Sequence, residues 1–393
     1  MVHDVLIVGA GTAGLAVAHE LQVRGVAVQI IEAAPGPGAS WRGRHEQLSL
    51  NTHRRFSGLP GAPLPAQLGV YVSREDFIRH IEAYAAALGP VIRYGVQAEG
   101  IERAEVGGWI VQTDQGELPA RHVIIATGPE RQPVIPAWPG RELFQGELIH
   151  SAAFRHAEDY VGKRVLLVGA SNSGVDVGNH LSEVAIGPSW VSLRSGPTIV
   201  PERVFGISAH LPFMLLRPLP IKAQDWMVAL LGRVFLGDLR QYGLPKPKAG
   251  AVTRDMEDGV TFGVDRGFVR ALKAGRFTVV PEIRAFHKTS VELIDGRHLE
   301  PDVVICATGY RPGLEPLIGP LNLLNARGNP PCHFERTQSS GSSILKKREI
   351  TPTPGQPGLW FFGLNSSIYG YLHARKLEAP LLAERIAREL RAA

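Results

Sequence analysis

Two glycine-rich turns carry residue types that could bind dinucleotides. The first, Gly9-Ala10-Gly11-Thr12-Ala13-Gly14, follows the apolar run 5–8, and the second, Gly169-Ala170-Ser171-Asn172-Ser173-Gly174, follows the apolar run 165–168. In such a turn one glycine permits the bend, one lets a pyrophosphate approach the backbone, and one lets the next helix pack on the strand. The helix N-terminus then offers free N–H groups to phosphate oxygens. Two such turns in one chain indicate two dinucleotides between which electrons pass, and therefore a redox enzyme.

The residue that ends the second strand of each unit indicates which dinucleotide each turn could bind. Glu32 ends the strand after the first turn, where a carboxylate can accept hydrogen bonds from the ribose hydroxyls of FAD or NAD(H). The equivalent strand of the second unit ends at Arg194-Ser195, and a guanidinium with a hydroxyl suits the 2′-phosphate of NADPH. Ser171 replaces the middle glycine of the second turn, where a hydroxymethyl group can be accommodated or can itself bond a phosphate. A glycine turn without a ligand and a solvated strand-end arginine are the alternatives.

The two cysteines argue against one class of enzyme that binds two dinucleotides. Cys306 lies in a predicted strand and Cys332 in a late loop, without the short spacing of a redox pair. A disulfide reductase needs such a pair beside its flavin, so both residues are interpreted as unpaired structural thiols. The electrons of a reduced flavin must then leave to another acceptor, and dioxygen is the obvious one. The absence of a disulfide framework also favours a reducing, cytoplasmic setting.

Alternating strands and helices must position these residues. The chain opens as strand, glycine turn, helix (14–23) and strand (26–31), and the same order returns at 163–193. In both halves short alternating strands follow, and a later strand ends in Ala-Thr-Gly, at 126–128 and at 307–309. The other predicted elements are a helix over 74–88, a closing strand over 359–362 and a closing helix over 371–391.

The predicted fold class is α/β, with two Rossmann-like dinucleotide-binding domains of three layers (ββα), the NADPH domain being inserted into the FAD domain. Residues 1–155 and 312–393 are assigned to the FAD domain and residues 156–311 to the NADPH domain. A long insertion at about 196–262 is expected to roof the pocket. A loop at 326–356, rich in Pro, Ser and Gly, is expected to be mobile and to share that role.

The composition is that of an ordinary globular protein with room for two cores: 393 residues, 44% hydrophobic and 20% charged. The net charge is +5, but no Lys/Arg run is interleaved with aromatic residues, so anionic cofactors are expected rather than nucleic acid.

Prolines and charges interrupt the apolar region 211–237, which predicts a lid or an interfacial helix pair rather than a transmembrane segment. None of the 14 histidines has metal-ligand spacing, so no metal site is predicted. The chain enters a strand by residue 4, which leaves no room for a signal peptide.

Further motifs extend over nearly the whole chain. They are Phe144-x-Gly146-x-x-x-His150-x-x-x-Phe154, Gly38-x-Ser40-Trp41-Arg42, Ala307-Thr308-Gly309-Tyr310-Arg311, and Leu236-Gly237-Asp238 followed by Leu244-Pro245. With these motifs the sequence resembles the class B flavin-dependent monooxygenases, and among them the flavin-containing monooxygenases and the plant YUCCA-type enzymes. Related Baeyer–Villiger enzymes usually have Trp at the position of Phe154, so the resemblance favours oxygenation of a heteroatom.

The resemblance implies FAD in the first domain, NADPH in the second and dioxygen as the acceptor. It also implies that Asn51, nine residues before Pro60, bonds the nicotinamide ribose and the flavin hydroperoxide, and that His150 orients the linker between the domains. A turn-capping role is the alternative for Asn51. The cofactor-binding residues are then Gly9, Gly11, Thr12, Ala13, Gly14, Glu32, Ser40, Trp41, Arg42, Thr127, Gly128, His150, Gly169, Ser171, Asn172, Ser173, Gly174, Arg194, Ser195, Thr308, Gly309, Tyr310 and Gly363.

The activity that the resemblance implies is the formation of a C4a-(hydro)peroxyflavin, which transfers oxygen to an amine nitrogen or a thioether sulfur of a small organic substrate. A first alternative is oxidative decarboxylation of an α-keto acid such as indole-3-pyruvate, which needs a cation near the flavin, with Arg54, Arg55 or Arg217 as candidates. A second alternative is an NADPH oxidase that releases peroxide without a specific substrate. The sequence does not identify the substrate, and it leaves open whether the chain forms a homodimer.

Overall fold

The computed structural model describes residues 2–334 and 350–392. Within these ranges the α-helices are α1 Thr12–Val23, α2 Ala39–Arg42, α3 Arg74–Ala87, α4 Asn172–Leu181, α5 His210–Leu215, α6 Ile221–Leu236, α7 Ala251–Asp258, α8 Phe268–Lys273, α9 Glu315–Ile318 and α10 Tyr371–Ala392. The strands are β1 His3–Val8, β2 Val28–Glu32, β3 Ile92–Tyr94, β4 Ala98–Arg103, β5 Trp109–Thr113, β6 Gly116–Ile125, β7 Gln132–Pro133, β8 Glu147–His150, β9 Val165–Val168, β10 Ser189–Ser192, β11 Ile199–Pro201, β12 Arg203–Val204, β13 Ile207–Ser208, β14 Gly263–Asp265, β15 Phe277–Val280, β16 Ile283–Phe286, β17 Val291–Leu293, β18 His298–Leu299, β19 Val303–Cys306, β20 Tyr310–Arg311 and β21 Leu359–Phe361. Most of the predicted mobile loop at 326–356 lies outside the described residues.

The first sheet has the order β3-β2-β1-β6-β5-β4, with β21 paired to β6. Strand β1 is central and parallel to both β2 and β6, and its residues 5–8 are buried. Helices α1 and α10 cover one face of the strand, and residues of β4, β5 and α9 cover the other. Strands β4, β5 and β6 form an antiparallel meander. Helix α1 begins at Thr12 rather than at the predicted residue 14, because Gly11 is its N-cap and the helix starts inside the turn. Helix α10 packs on the first core, where Leu382 and Ile386 are fully buried.

The second sheet has the order β15-β10-β9-β19-β8, and all its pairings are parallel. Its strands lie in the chain between β6 and β21 of the first sheet. Strand β8 lies N-terminal to the predicted division at residue 156, yet it pairs with β19 in the second sheet. The division of the chain into an FAD and an NADPH domain stays a prediction. Where the chain crosses between the sheets, β7 and β20 form a short antiparallel pair.

The insertion at 196–262 forms short strands and helices beside the second sheet. Strand β11 pairs with β14. The region 211–237, for which the sequence predicted a lid or an interfacial helix pair, contains most of helix α5 and all of helix α6. On α6 the side chain of Val228 is buried, whereas those of Trp226 and Val234 are 62% and 65% exposed. In the part of the chain that the structure describes, no helix is long and apolar enough to cross a membrane.

Candidate active site

A single cavity of about 690 Å³ runs from the first glycine turn, past the second, to the insertion. Its walls include Gly11 and Thr12 from the first turn and Asn172 and Ser173 from the second. Both turns therefore open into the same space, and it has the size of a small-molecule site. Other predicted site residues that line it are Gly9, Ala13, Glu32, Ser40, Trp41, Asn51, Thr127 and Gly128.

Each of the three glycines in the first turn is needed for a different physical reason. Gly9 has φ +111°, and a Cβ there would lie 2.7 Å from the carbonyl oxygen of Ala126. A Cβ at Gly14 would lie 2.0 Å from the carbonyl oxygen of Gly9, so this glycine lets α1 pack on the strand. A Cβ at Gly11 would meet no protein atom within 4 Å. Packing thus requires Gly9 and Gly14, whereas at Gly11 the free space fits the approach of a ligand's phosphate.

Glu32 is held rigidly at the edge of this turn. One carboxylate oxygen accepts a hydrogen bond from the backbone N–H of Ala10 at 2.8 Å, and the other from that of Ala34 at 2.9 Å. The side chain lines the cavity at the end of β2, as a ribose-binding carboxylate would.

The two Ala-Thr-Gly strand ends differ in their hydrogen bonds. The hydroxyl of Thr308 donates to the carbonyl oxygen of Val134. The hydroxyl of Thr127 is buried in the cavity wall and has no hydrogen-bond partner among the described residues. Because a buried hydroxyl without a partner is costly, Thr127 fits a polar ligand beside the first turn.

The second turn repeats the geometry of the first. Gly169 has φ +94°, with a virtual Cβ 2.7 Å from the carbonyl oxygen of Ala307, and a Cβ at Gly174 would lie 2.1 Å from the carbonyl oxygen of Gly169. Ser171 is the N-cap of α4 and makes no side-chain cap hydrogen bond. The first N–H groups of α4 are therefore free to bind an anion. Arg194 lies exposed just beyond β10, outside the cavity wall.

Asn51 connects the two turn regions. Its amide group donates a hydrogen bond of 2.6 Å to the side-chain oxygen of Asn172, 121 residues later in the chain. Asn51 is in the loop after α2, whereas Asn172 begins α4, so this bond crosses from the first half of the chain to the second. Both side chains line the cavity.

Arg266 is a site residue that the sequence did not reveal. Its guanidinium donates to the hydroxyl of Ser49 at 2.7 Å and to the side-chain oxygen of Asn51 at 3.4 Å, and it forms an ion pair of 2.7 Å with Glu202. It lies just after β14, in no recognisable motif, so only the folded contacts identify it. Arg266 itself and the cation candidates from the sequence, Arg54, Arg55 and Arg217, lie outside the cavity wall. Arg266 differs from the other three because its partners Ser49 and Asn51 line the cavity.

The Phe144-to-Phe154 motif lies in the connection to the second sheet. The imidazole of His150 is 3.0 Å from the carbonyl oxygen of Gly309, and its other ring nitrogen accepts from the N–H of Ala152. Burial lowers the pKa of His150, so the ring is neutral at pH 7. The ring also packs edge-on against Tyr310, whose hydroxyl accepts from Arg44 in the cavity wall. His150 thus ties the motif to the second Ala-Thr-Gly strand end.

Several predicted cofactor residues lie outside the cavity wall. Arg42 forms a surface ion pair with Glu82. At Gly363 a Cβ would lie 2.3 Å from the Cβ of Ala13, which explains this glycine by packing. The full set outside the wall is Gly14, Arg42, His150, Gly169, Ser171, Gly174, Arg194, Ser195, Thr308, Gly309, Tyr310 and Gly363. For these residues a contact with a cofactor stays a prediction.

Neither cysteine is placed for disulfide chemistry in the described structure. Cys306 and Cys332 are both free, and Cys306 is fully buried in β19, where burial raises the pKa of its thiol to about 12. We therefore expect iodoacetamide to modify the exposed Cys332 in the native protein and to leave Cys306 unmodified, as measured by peptide mass spectrometry. Cys332→Ser should not react at all before unfolding. Rapid labelling of Cys306 in that variant would show that the thiol is accessible and contradict the assignment.

Comparison with known proteins agrees with this geometry. Residues 6–186 match the family model described as pyridine nucleotide-disulphide oxidoreductase. Indole-3-pyruvate monooxygenase YUCCA1 of Oryza sativa subsp. japonica is 36% identical over 310 residues, which are 78% of this chain and 76% of the relative. The probable indole-3-pyruvate monooxygenase YUCCA3 of Arabidopsis thaliana is 35% identical, over 79% of this chain and 74% of the relative.

Solved structures of monooxygenases share the fold. A flavin-containing monooxygenase from Stenotrophomonas maltophilia superposes with a TM-score of 0.73 at 21% identity, covering 99% of this chain and 100% of that one. An oxidized steroid monooxygenase bound to NADP superposes with a TM-score of 0.70 at 19% identity, covering 98% of this chain and 85% of that one. The mixed first sheet, the parallel second sheet and the cavity that both glycine turns line are thus shared with flavin-dependent monooxygenases. The chain belongs to the class B flavin-dependent monooxygenases, in the family of the YUCCA-type enzymes.

Proposed function

We propose that this protein is an FAD- and NADPH-dependent monooxygenase acting on a small organic substrate. The observation that carries the proposal is the single cavity into which both glycine turns open. FAD would be held by the first turn, with Glu32 on a ribose and the free space at Gly11 for the pyrophosphate. NADPH would be held by the N-terminus of α4, with Arg194 and Ser195 toward its 2′-phosphate. When bound, the flavin supplies the oxidising chemistry, because NADPH reduces it and dioxygen then reacts with it.

The residues of the chain then have to position the cofactors and exclude water. Beyond Asn51 the cavity continues into an apolar chamber under the insertion, where the rings of Phe213 and Phe262 pack edge-to-face. Val228 and Leu231 of α6 form the roof of this chamber. An apolar roof keeps water from the reacting atoms, which a flavin oxygenase requires to avoid the release of peroxide.

The first substrate class is an aromatic α-keto acid, of which indole-3-pyruvate is the example that the relatives' names give. Sequence identity of 36% over most of both chains supports it, and the flat rings of Phe213 and Phe262 suit an aromatic side chain. Arg266, beside Asn51, is the guanidinium placed to attract a carboxylate, although Glu202 partly neutralises it.

The second substrate class is a neutral amine or thioether, as the sequence motifs favoured. One observation supports it: no Lys or Arg lines the chamber around Phe213 and Phe262 in the described structure. The sequence resemblance, by which Asn51 corresponds to the asparagine of the flavin-containing monooxygenases, favours it as well. A neutral nucleophile would need no cationic anchor.

Product analysis with full electron accounting tests these proposals. Protein loaded with FAD would be given NADPH together with one candidate substrate at a time: indole-3-pyruvate, a thioether or a tertiary amine. The amounts of NADPH, dioxygen, carbon dioxide and peroxide consumed or released would all be measured. Catalase must be present in the product assay, because free peroxide decarboxylates α-keto acids without an enzyme. We expect one carbon dioxide and one indole-3-acetate per NADPH with the keto acid. S-oxide or N-oxide instead would establish the second class. Stoichiometric peroxide with every compound would leave only an uncoupled oxidase.

The choice of NADPH over NADH gives a prediction for Arg194. Removing its guanidinium takes away the bidentate partner of the 2′-phosphate, a group that NADH lacks. We expect Arg194→Ala to lower kcat/KM for NADPH about 100-fold, equal to about 2.7 kcal/mol, with kcat/KM for NADH nearly unchanged. Arg297→Ala, which removes another exposed guanidinium paired with Asp295, is the matched control and should change neither. Equal losses for both nucleotides would show that Arg194 does not bind the 2′-phosphate.

A further inference from the structure

Two histidines and one aspartate form a buried group at the cavity, and two of its members, His45 and Asp176, line the cavity wall. His45 comes from the loop after α2, and Asp176 and His180 are one turn apart on α4. The Nε2 atom of His45 is 2.9 Å from one carboxylate oxygen of Asp176, and the Nε2 atom of His180 is 3.9 Å from the other. One potential ligand atom from each residue lies within 4.8 Å of the other two.

The two imidazoles have more hydrogen-bonding capacity than the surrounding protein uses. His45 and His180 are 5% and 7% exposed. Both ring nitrogens of His180, and Nδ1 of His45, have no hydrogen-bond partner among the described residues. Buried polar atoms are nearly always satisfied, and an ordered water or an ion is the usual explanation when the protein provides no partner. The donor set of two imidazole nitrogens and one carboxylate oxygen is that of three-ligand zinc sites, with a water in the fourth position.

The charges around the group permit a divalent cation. Asp176 supplies one negative charge inside the group, and Glu183 lies 3.9 Å from the Nδ1 atom of His180. The guanidinium of Arg266, whose charge acts on Asp176 and His180, is already paired with Glu202. The second candidate cluster in the described ranges, formed by His287, Glu292 and His298, has two exposed histidines, so water satisfies those rings instead.

We propose that His45, Asp176 and His180 form a Zn²⁺ site that bridges the two halves of the chain. The ion would connect the loop that carries Asn51 to the helix that begins at Asn172. Asp176 lies in the cavity wall one turn after Asn172. A bound zinc ion would hold this part of the wall rigid and would thereby slow the transfer of hydride from NADPH. The effect on hydride delivery rests on the proposed function, whereas the binding of the ion does not.

Zinc binding to the full chain, freed of metal with a chelator and then dialysed, tests the site directly. By isothermal titration calorimetry we expect one Zn²⁺ per chain with a Kd of about 1 µM, and no comparable binding of Mg²⁺. His180→Ala and His45→Ala should each weaken binding at least about 100-fold, since each removes one of three ligands. His298→Ala is the matched control, because it disrupts the exposed cluster and should leave the affinity unchanged. A thermal-unfolding shift on adding Zn²⁺, present in wild type and His298→Ala but absent in His180→Ala, would confirm that the variants fold and that the site is occupied.

The opposite results overturn the proposal. Wild-type protein that binds Zn²⁺ no more tightly than His180→Ala, or zinc affinity that depends on His298, would remove the site. Zinc that binds at His180 without slowing the reduction of flavin by NADPH would overturn the effect on hydride delivery. A metal-free protein that never passes electrons from NADPH to flavin would contradict the proposed function and leave the zinc site standing.

Discussion

Gly11→Val is expected to give a folded protein that no longer retains flavin. The new side chain would meet no protein atom at its Cβ, and the backbone φ of −78° is one that valine adopts without strain. Its methyl groups would occupy the space that the proposed pyrophosphate needs. We expect FAD affinity to fall at least about 100-fold, or about 2.7 kcal/mol, and NADPH-dependent turnover to disappear. Visible flavin absorbance of the purified protein and FAD titration of the apoprotein measure the loss.

Two further substitutions separate loss of flavin from loss of fold. Gly100→Val places the same side chain in strand β4, where its Cβ comes no closer than 3.8 Å to Gln112, and this variant should stay yellow. Gly14→Ala puts a Cβ 2.0 Å from a backbone oxygen, so it should lower the melting temperature itself. If Gly11→Val is as yellow and as active as the wild type, FAD does not bind at this turn.

Asn51→Ala is expected to divert reduced flavin from product to peroxide. The substitution removes the donor of the 2.6 Å hydrogen bond to Asn172 and the oxygen that Arg266 contacts. Asn172 and Arg266 therefore each lose a hydrogen-bond partner that holds them in position. Losing one preorganised donor from an active site typically costs about 10²- to 10³-fold in rate. We therefore expect product per NADPH to fall about 100-fold while NADPH oxidation continues. The measurement is the ratio of peroxide released to NADPH consumed.

Comparison variants show whether the effect belongs to Asn51 itself. Asn51→Asp keeps the volume but cannot donate to Asn172, so it should uncouple the reaction as well. Ser49→Ala removes a different partner of Arg266 in the same loop and should uncouple much less. In the double variant with Asn172→Ala the losses should not add, because the two side chains form one bond. Fully coupled turnover in Asn51→Ala would refute the role assigned to Asn51. Equal uncoupling in Ser49→Ala would show that the effect comes from Arg266, the residue that both side chains contact.

Local sequence patterns predicted most of the fold. Each strand, glycine turn and helix follows from residues adjacent in the chain, so the units around Gly9 and Gly169 were identified with only small errors at their ends. The closing strand and helix were also predicted, and β21 joins the first sheet. Neither strand β8 nor its pairing with β19 was predicted, because a four-residue strand inside a motif-bearing connector gives little local signal and no sign of which sheet it joins.

The features of the candidate site likewise fall into those that the sequence identified and those that only the folded structure revealed. The sequence by itself determined the dinucleotide-binding turns, Glu32 and the absence of a redox cysteine pair, because their chemistry resides in residue types at short spacing. Only the tertiary structure decided that both turns open into one cavity and that Asn51 meets Asn172, 121 residues away. It alone also placed Arg266 beside Asn51, and His45 against Asp176, which is 131 residues away. These contacts join segments far apart in the chain, and packing between distant segments leaves no periodic signal in the sequence.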